Sequence, residues 1–249
     1  MSDKNVSIDF SALDVAAFPP KLVHEAQVVW ADRVRTEYQS IQIAARFLTE
    51  ALAAGEPMDA LPRVVEAIEE EVRHTEICAA MCRALGGRVP SPREVAMPLA
   101  DLRDVPLDER VLASAISLFL VNETFSVGYL RDLCERATHP VTRAVMRSIT
   151  DDEIGHESFG VELCARKLRD LPDAKRAAWR GFTHRLVRGH MDRAERAVAA
   201  IPESDRRLDR FPEAERATLG LLGEARLSLL CLRTYRERLA PALAELGLA

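Results

Sequence analysis

Two short motifs in the sequence pair a glutamate with a histidine three residues later. They are Glu71 with His74 in EEEVRHTE, and Glu153 with His156 in TDDEIGHESFG. Side chains three residues apart lie on one face of an α-helix, so each carboxylate and imidazole can bind the same metal ion. One pair alone is weak evidence, because chance gives about half an ExxH match in a chain of this composition. The repetition of the pair indicates metal chemistry.

A single glutamate precedes each pair on a predicted helix. Glu37 interrupts a stripe of apolar residues that recur every three or four positions, and Glu123 interrupts another. A buried carboxylate without a partner is expensive, so each of these side chains needs a cation or a hydrogen bond. Glu25 is the rival to Glu37 on the first helix, but it lies off the stripe.

Prolines and glycines bound the helices that must position these residues. The pattern predicts four long helices, at about 20–54, 62–86, 108–137 and 141–169, and two or three more within about 173–200 and 212–246. The connection at 89–106 is long for a loop between helices, and we expect it to cross one end of the bundle.

The order Glu37, Glu71/His74, Glu123, Glu153/His156 is an internal repeat of two helical hairpins, each offering Glu…ExxH. Over about residues 20–170 the chain resembles the ferritin-like di-iron carboxylate superfamily, which includes ribonucleotide reductase small subunits, bacterial monooxygenase hydroxylases, rubrerythrins and ferritins. The resemblance implies an all-α fold. A ferritin-like antiparallel four-helix bundle would occupy 20–170 of a single domain spanning 1–249, with accessory C-terminal helices at 171–249.

The resemblance also implies a ligand set for two iron ions, with manganese or a mixed pair as alternatives. Glu71 and Glu153 would bridge the ions, Glu37 and Glu123 would bind terminally, and His74 and His156 would bind one ion each. Oxygen and imidazole donors suit iron or manganese, and the absence of thiolate ligands disfavours a structural zinc.

Two acidic residues precede the bridging glutamates, Glu70 and Asp152. In the superfamily such residues orient the histidines, although each could instead pair with the histidine four residues on in its own helix. Glu70 could also be a plain solvated charge.

Small or adaptable residues near the ligand stripes predict a substrate cavity, lined by Cys78, Phe119, Ser126 and Gly160. Close helix packing is the alternative role for the small residues. Cys78 stands where reductase small subunits place a radical tyrosine, which argues against a stable tyrosyl radical. Some arylamine N-oxygenases recruit an extra histidine ligand one turn before the last bridging glutamate, and that position is Ile149 here.

These features predict a cytoplasmic non-haem di-iron oxidase or oxygenase that activates O₂ to hydroxylate, N-oxygenate or desaturate a small organic substrate. It would need an external electron donor, and we expect a homodimer. The alternatives are a ferritin-like ferroxidase that handles iron and a rubrerythrin-like peroxide reductase. The latter is weakened because the five cysteines form no CxxC motif.

Composition limits the partners. We expect no membrane span, because no run of about 18 apolar residues is present, and the N-terminus lacks the features of a signal peptide. The scattered cysteines indicate reduced thiols. Basic residues in 166–249 alternate with acidic ones and are not interleaved with aromatic residues. We therefore expect no nucleic-acid partner.

Overall fold

The computed structural model describes residues 8–99, 101–202 and 205–249, and within them every regular element is helical. The all-α prediction is confirmed. Two single turns of 3₁₀ helix, Phe10–Ala12 and Val15–Ala17, precede the first long helix. The helices are α1 Pro20–Ala53, α2 Leu61–Ala84, α3 Pro92–Val95, α4 Leu107–Arg136, α5 Pro140–Leu168, α6 Asp173–Ala199, α7 Glu213–Thr218, α8 Glu224–Thr234 and α9 Ala240–Glu245.

The ends of the long helices follow the proline and glycine signals. Pro20 occupies the first turn of α1, where its missing N–H costs nothing. Gly55 and Gly86 follow α1 and α2 with φ of 72° and 75°, a left-handed conformation that glycine adopts without strain. His139 caps α5 by accepting a hydrogen bond from the Val141 N–H at 3.3 Å. These four boundaries lie within about two residues of the prediction.

Helices α1, α2, α4 and α5 form a four-helix bundle in which α1 packs on α2 and α4 packs on α5. Two apolar clusters fill its interior: a Phe core around Phe47, Phe119 and Phe159, and a Trp core around Trp30 and Met81. The predicted metal-binding segments lie between the two.

The order of these cores along each helix gives the direction of the helices. Helices α1 and α5 run from the Trp core to the Phe core, whereas α2 and α4 run from the Phe core to the Trp core. Helices that pack against each other are therefore antiparallel, and all four ligand segments meet at one level, as in ferritin-like bundles with one long crossover.

The connection between α2 and α4 runs along α1, so the prediction that it crosses one end of the bundle is wrong. Arg35 donates to the Glu94 carbonyl at 3.1 Å, Gln39 donates to the Val95 carbonyl at 2.9 Å, and Gln42 accepts from the Met97 N–H at 3.1 Å. Because α2 and α4 run in the same direction, the chain must return the length of the bundle between them.

Helix α4 is interrupted by a π-helical segment, Ala115–Asn122, that ends immediately before Glu123. The sequence predicts one regular helix here. Gly160 of α5 packs directly on this segment: a Cβ atom at Gly160 would lie 2.2 Å from the Phe119 carbonyl oxygen. Only a glycine permits α5 to approach the backbone of α4 this closely.

Helix α4 is also long and apolar enough, by length and composition, to cross a membrane, although no uninterrupted apolar run marks it in the sequence. Within the protein, 72% of its most apolar window is buried. Its place in the bundle core accounts for that composition, because a helix covered on most sides is apolar on most sides.

The C-terminal helices pack on the bundle. The helical region predicted at 212–246 is divided at 219–223, where Gly220 adopts a φ of 73°. This loop lies against α1: Trp30 donates to the Leu219 carbonyl at 3.0 Å, and Arg33 donates to the Gly220 carbonyl at 2.8 Å. The C-terminal region thereby fixes α1 one to two turns before Glu37.

Candidate metal centre

The six predicted ligands converge at one level of the bundle. Their donor atoms form two groups, each with all atoms within 4.8 Å of one another. The first group contains Glu37, Glu71, His74 and Glu153, and the second contains Glu71, Glu123, Glu153 and His156. Glu71 and Glu153 belong to both groups, so each could contact two ions.

The cluster is buried, and only one member reaches the surface. Glu71, His74, Glu123, Glu153 and His156 each have at most 5% of their surface exposed. The Glu37 side chain is 16% exposed. The cluster is therefore approached from the side of α1 that carries Glu37.

The first group leaves two buried atoms without hydrogen-bond partners, His74 Nδ1 and Glu71 Oε2. His74 Nδ1 lies 3.7 Å from a Glu37 oxygen, 3.6 Å from a Glu71 oxygen and 3.7 Å from a Glu153 oxygen. Donor atoms that share an ion at about 2.1 Å lie roughly 3 to 4 Å apart. These spacings suit a cation between the four residues better than direct hydrogen bonds.

The second group lies around the other histidine. His156 Nδ1 is 2.9 Å from a Glu153 oxygen and 3.8 Å from a Glu71 oxygen. The two imidazole rings are 6.3 Å apart between centroids, one on each side of the shared glutamates. One histidine is thus available to each of two ions.

Acidic residues hold both histidines across the bundle. Asp152 of α5 contacts His74 Nε2 of α2 at 3.1 Å, and Glu70 of α2 contacts His156 Nε2 of α5 at 2.9 Å. An Nε2–H donated to a carboxylate leaves Nδ1 free for a metal. Of the arrangements that the sequence left open, the structure shows the pairing across helices, and neither acid is a solvated surface charge.

Arg73 supports one of these acids with an ion pair to Asp152, and it lies 3.8 Å from Glu70. Sequence reasoning missed it. Its place inside the EEEVRHTE motif, beside His74, was the available signal.

In the absence of metal, burial and the neighbouring carboxylates raise the pKa values of several side chains of the cluster, so these side chains tend to hold protons. Burial raises the pKa of Glu71 to about 8, and the carboxylates of Glu153 and Glu37 contribute to the shift. Burial also raises the pKa of Glu123 well above its usual range. Burial opposes charge on His156, but hydrogen bonds to Glu153 and Glu70 raise its pKa to about 10. Cations at this place would offset the carboxylates and displace those protons.

A cavity of about 250 Å³ lies beside the cluster, between α1 and α4. Three carboxylates of the cluster form its inner wall: Glu37, Glu123 and Glu153. Its other walls are neutral, with two apolar residues, Ile43 and Leu118, and five polar ones, Thr36, Gln39, Ser40, Asn122 and Ser126.

Comparison with known proteins then identifies the family. The family model of the p-aminobenzoate N-oxygenase AurF matches residues 41–229, about three quarters of the chain. This chain belongs to the AurF family. No curated protein and no solved structure matches it.

Membership of the AurF family makes the chain an O₂-activating non-haem di-iron oxygenase, as predicted from the two ExxH hairpins. The ferroxidase and peroxide reductase alternatives are not the activity of this family. The residues fit a di-iron cofactor. Two buried donor atoms without hydrogen-bond partners, His74 Nδ1 and Glu71 Oε2, face each other, and the negative charge of the carboxylates around them is not balanced by nearby cations.

The predicted cavity residues have mixed outcomes in this AurF-family chain. Ser126 lines the cavity beside the ligands. Gly160 was placed in the cavity incorrectly: it serves close helix packing against α4. Phe119 is buried in edge-to-face contact with Phe47 and Phe159, because it fills the Phe core.

Cys78 also lies outside the cavity, in the Trp core, where burial raises the pKa of its thiol. The same core contains Ile149, an apolar residue one turn before Glu153.

Sequence reasoning missed four polar residues of the cavity wall: Thr36, Gln39, Ser40 and Asn122. Two of them had a usable signal. Ser40 lies one turn after Glu37 on the same helix face, and Asn122 directly precedes Glu123.

Proposed function

We propose that this chain N-oxygenates a small amine that binds in the 250 Å³ cavity beside the six-residue centre. The observation that carries the proposal is that Glu37, Glu123 and Glu153 form both the ligand cluster and the inner wall of that cavity. A substrate in the cavity therefore lies next to the metal-binding positions. The name of the family, a p-aminobenzoate N-oxygenase, supports an aromatic amine as the substrate.

The six side chains have separate roles in this proposal. Glu71 and Glu153 would be shared by two iron ions because both belong to each group of donor atoms, and Glu37 and Glu123 would each hold one ion. His74 and His156 would offer Nδ1, with Asp152 and Glu70 fixing their rings through Nε2. The iron ions, when bound, supply the positions and electrons for activation of O₂.

Other cavities of the described chain are less suited to the substrate. A cavity of about 100 Å³ between α2 and α5 meets Glu70, Asp152 and His156, but it is too small for an aromatic ring and its substituents. A groove of about 430 Å³ along α1 and α2 includes none of the six ligands. Of these three cavities among the described residues, the one at Glu37 combines space with access to the centre.

The reaction balances with one external reductant. One oxygen atom of O₂ enters an amine N–H bond to give the hydroxylamine, and the other leaves as water. Two electrons and two protons from the reductant complete the water molecule. The neutral walls around the carboxylates would position the amine beside the centre.

The proposal also covers the cellular compartment and the oligomeric state of the enzyme. All five cysteines are free, which supports a reducing compartment such as the cytoplasm. The C-terminal helices cover part of the bundle and would obstruct a cage, which supports a homodimer. Light scattering should then give twice the 27.7 kDa chain mass.

The activity is tested directly with iron-reconstituted protein. The protein is mixed with a chemical reductant, ¹⁸O₂ and a panel of aromatic amines, and products are identified by mass spectrometry. We expect hydroxylamines that carry one ¹⁸O atom. Replacing the cavity residue Ser126 with Leu should lower kcat/KM by narrowing the space beside Glu123. Product labelled from water, or no N-oxygenated product from any amine, would contradict the proposal.

A further inference from the structure

We infer that the substrate of this chain is an amine that bears an uncharged hydrogen-bonding group and no carboxylate. The inference rests on the proposed function and specifies the substrate class of the same cavity. It concerns the substituent of the substrate other than the amine, because the polar residues that line the cavity are available to contact that substituent.

The wall offers hydrogen bonds without positive charge. No lysine, arginine or histidine is among the described residues that line the cavity. The polar groups are the hydroxyls of Thr36, Ser40 and Ser126 and the carboxamides of Gln39 and Asn122. Such groups both donate and accept hydrogen bonds, which matches an alcohol or an amide.

The arginines on the adjacent part of α1 are engaged elsewhere. Arg33 lies 4.3 Å above the Trp30 ring and donates to the Gly220 carbonyl. Arg35 donates to the Glu94 carbonyl and contacts Asp32 at 3.6 Å. Neither side chain lines the cavity, so neither can pair with a bound anion there.

A carboxylate in this cavity would lose solvent without gaining a cation. Removing a charged group from water is unfavourable unless an opposite charge or full hydrogen bonding offsets the loss. The nearest fixed charges are the carboxylates of Glu37, Glu123 and Glu153. The four glutamates of the two groups would balance the four positive charges of two Fe(II) ions, so no positive charge is left over to pair with a bound carboxylate.

The size of the cavity limits the rest of the molecule. About 250 Å³ is at the lower end of small-molecule sites. It suits one ring with small substituents. Leu118 and Ile43 supply the apolar contact for that ring.

The test compares p-aminobenzoate, p-aminobenzamide, p-aminobenzyl alcohol and aniline. Binding to iron-loaded protein is measured by calorimetry without reductant, and kcat/KM is measured separately with reductant and O₂. We expect the amide and the alcohol to bind about tenfold or more tightly than the carboxylate, the ratio produced by one poorly compensated polar group. Equal or tighter binding of p-aminobenzoate would overturn the inference.

A lysine placed in the wall should reverse the preference. Asn122→Lys and Thr36→Lys both alter exposed residues that line the cavity. The two positions lie on different helices, α4 and α1. Each should improve p-aminobenzoate binding relative to p-aminobenzamide by about fivefold or more. Thr49→Lys is the matched control, because it adds the same charge at an exposed position on α1 about 18 Å along the helix from Glu37.

The control should leave the ratio unchanged. If all three lysine variants shift the ratio equally, the effect is long-range charge and the cavity assignment is wrong. Absence of N-oxygenated product from every amine, with the predicted binding order intact, would remove the proposed function and leave the inference about the cavity standing.

Discussion

At the scale of single residues, the two acid–histidine contacts decide which imidazole nitrogen is presented to the cluster. Asp152 and Glu70 each contact an Nε2 atom, and both Nδ1 atoms point among the glutamates. A carboxylate partner also makes the imidazole a stronger ligand.

Replacing Asp152 with Asn should weaken iron binding by about 10- to 100-fold, because the amide can present its N–H to His74 and favour the wrong tautomer. Titration of the metal-free protein with Fe(II) measures this change. Asp151→Asn is the matched control, since Asp151 is the preceding residue and is exposed. Equal affinities for the two variants would show that Asp152 does not orient His74.

The shared and unshared glutamates should differ in their effect on metal content. Glu71→Ala or Glu153→Ala should abolish binding of both ions, because each residue belongs to both groups of donor atoms. Glu123→Ala should leave about one ion per chain. Elemental analysis after reconstitution gives the counts, with Glu69→Ala, an exposed neighbour on α2, as the control. Unchanged occupancy in all three ligand variants would refute the assignment.

At the scale of helices, the contact between Gly160 and the π-helical segment fixes the position of Glu123. The segment ends at Asn122, so Glu123 begins the next regular turn. Any displacement of α4 from α5 at Gly160 would move a ligand as well as loosen the Phe core.

Gly160→Ala should therefore lower the free energy of unfolding by about 1–3 kcal/mol, because the added methyl group overlaps the Phe119 carbonyl. It should also lower iron affinity. Gly155→Ala on the same helix meets nothing within 4 Å, so it should stabilise the protein by about 0.5–1 kcal/mol. Denaturant unfolding measures both variants. A Gly160→Ala protein as stable as Gly155→Ala would contradict this account of the contact.

Sequence patterns located the helices but not their irregularities. Proline and glycine act within one turn of the chain, so the ends of α1, α2 and α5 were predictable. The π-helical segment and the path of the α2–α4 connection depend on contacts between distant residues, which no local pattern encodes. The break at Gly220 has the same left-handed glycine as the ends of α1 and α2, so a local signal for it was present.

At the scale of the molecule, the buried cluster links protons, metal and stability. Burial raises the pKa of Glu71 to about 8, and hydrogen bonds raise the pKa of His156 to about 10 despite burial. In the unfolded chain the corresponding values are 4.5 and 6.5. The folded metal-free protein therefore holds protons that the unfolded chain releases.

This linkage predicts that metal-free protein loses stability as the pH rises. The contribution of Glu71 is present below pH 4.5 and is lost as the pH approaches 8, and that of His156 is lost between 6.5 and 10. Iron or manganese replaces these protons, so loaded protein should show a weaker decline. Calorimetry at pH 5.5, 7 and 8.5, with chelator or metal, measures Tm. A Tm of the chelated protein that rises relative to the loaded protein over this range would contradict the prediction.

The convergence of the six residues was predictable because their helical periodicity places polar residues in apolar stripes, and because a doubled ExxH motif rarely arises by chance. The cavity was not. Ser126 lines the cavity, whereas Gly160 packs against the backbone of α4. This difference depends on the distance between the helices, which the size of a residue alone does not determine.

The central claim is that two iron ions lie between Glu37, Glu71, His74, Glu123, Glu153 and His156. Anomalous diffraction at the iron edge from iron-loaded crystals tests it most directly. We expect two peaks about 3.5–4 Å apart, each next to one histidine Nδ1 and both next to Glu71 and Glu153. A single peak, or peaks away from these residues, would contradict the account.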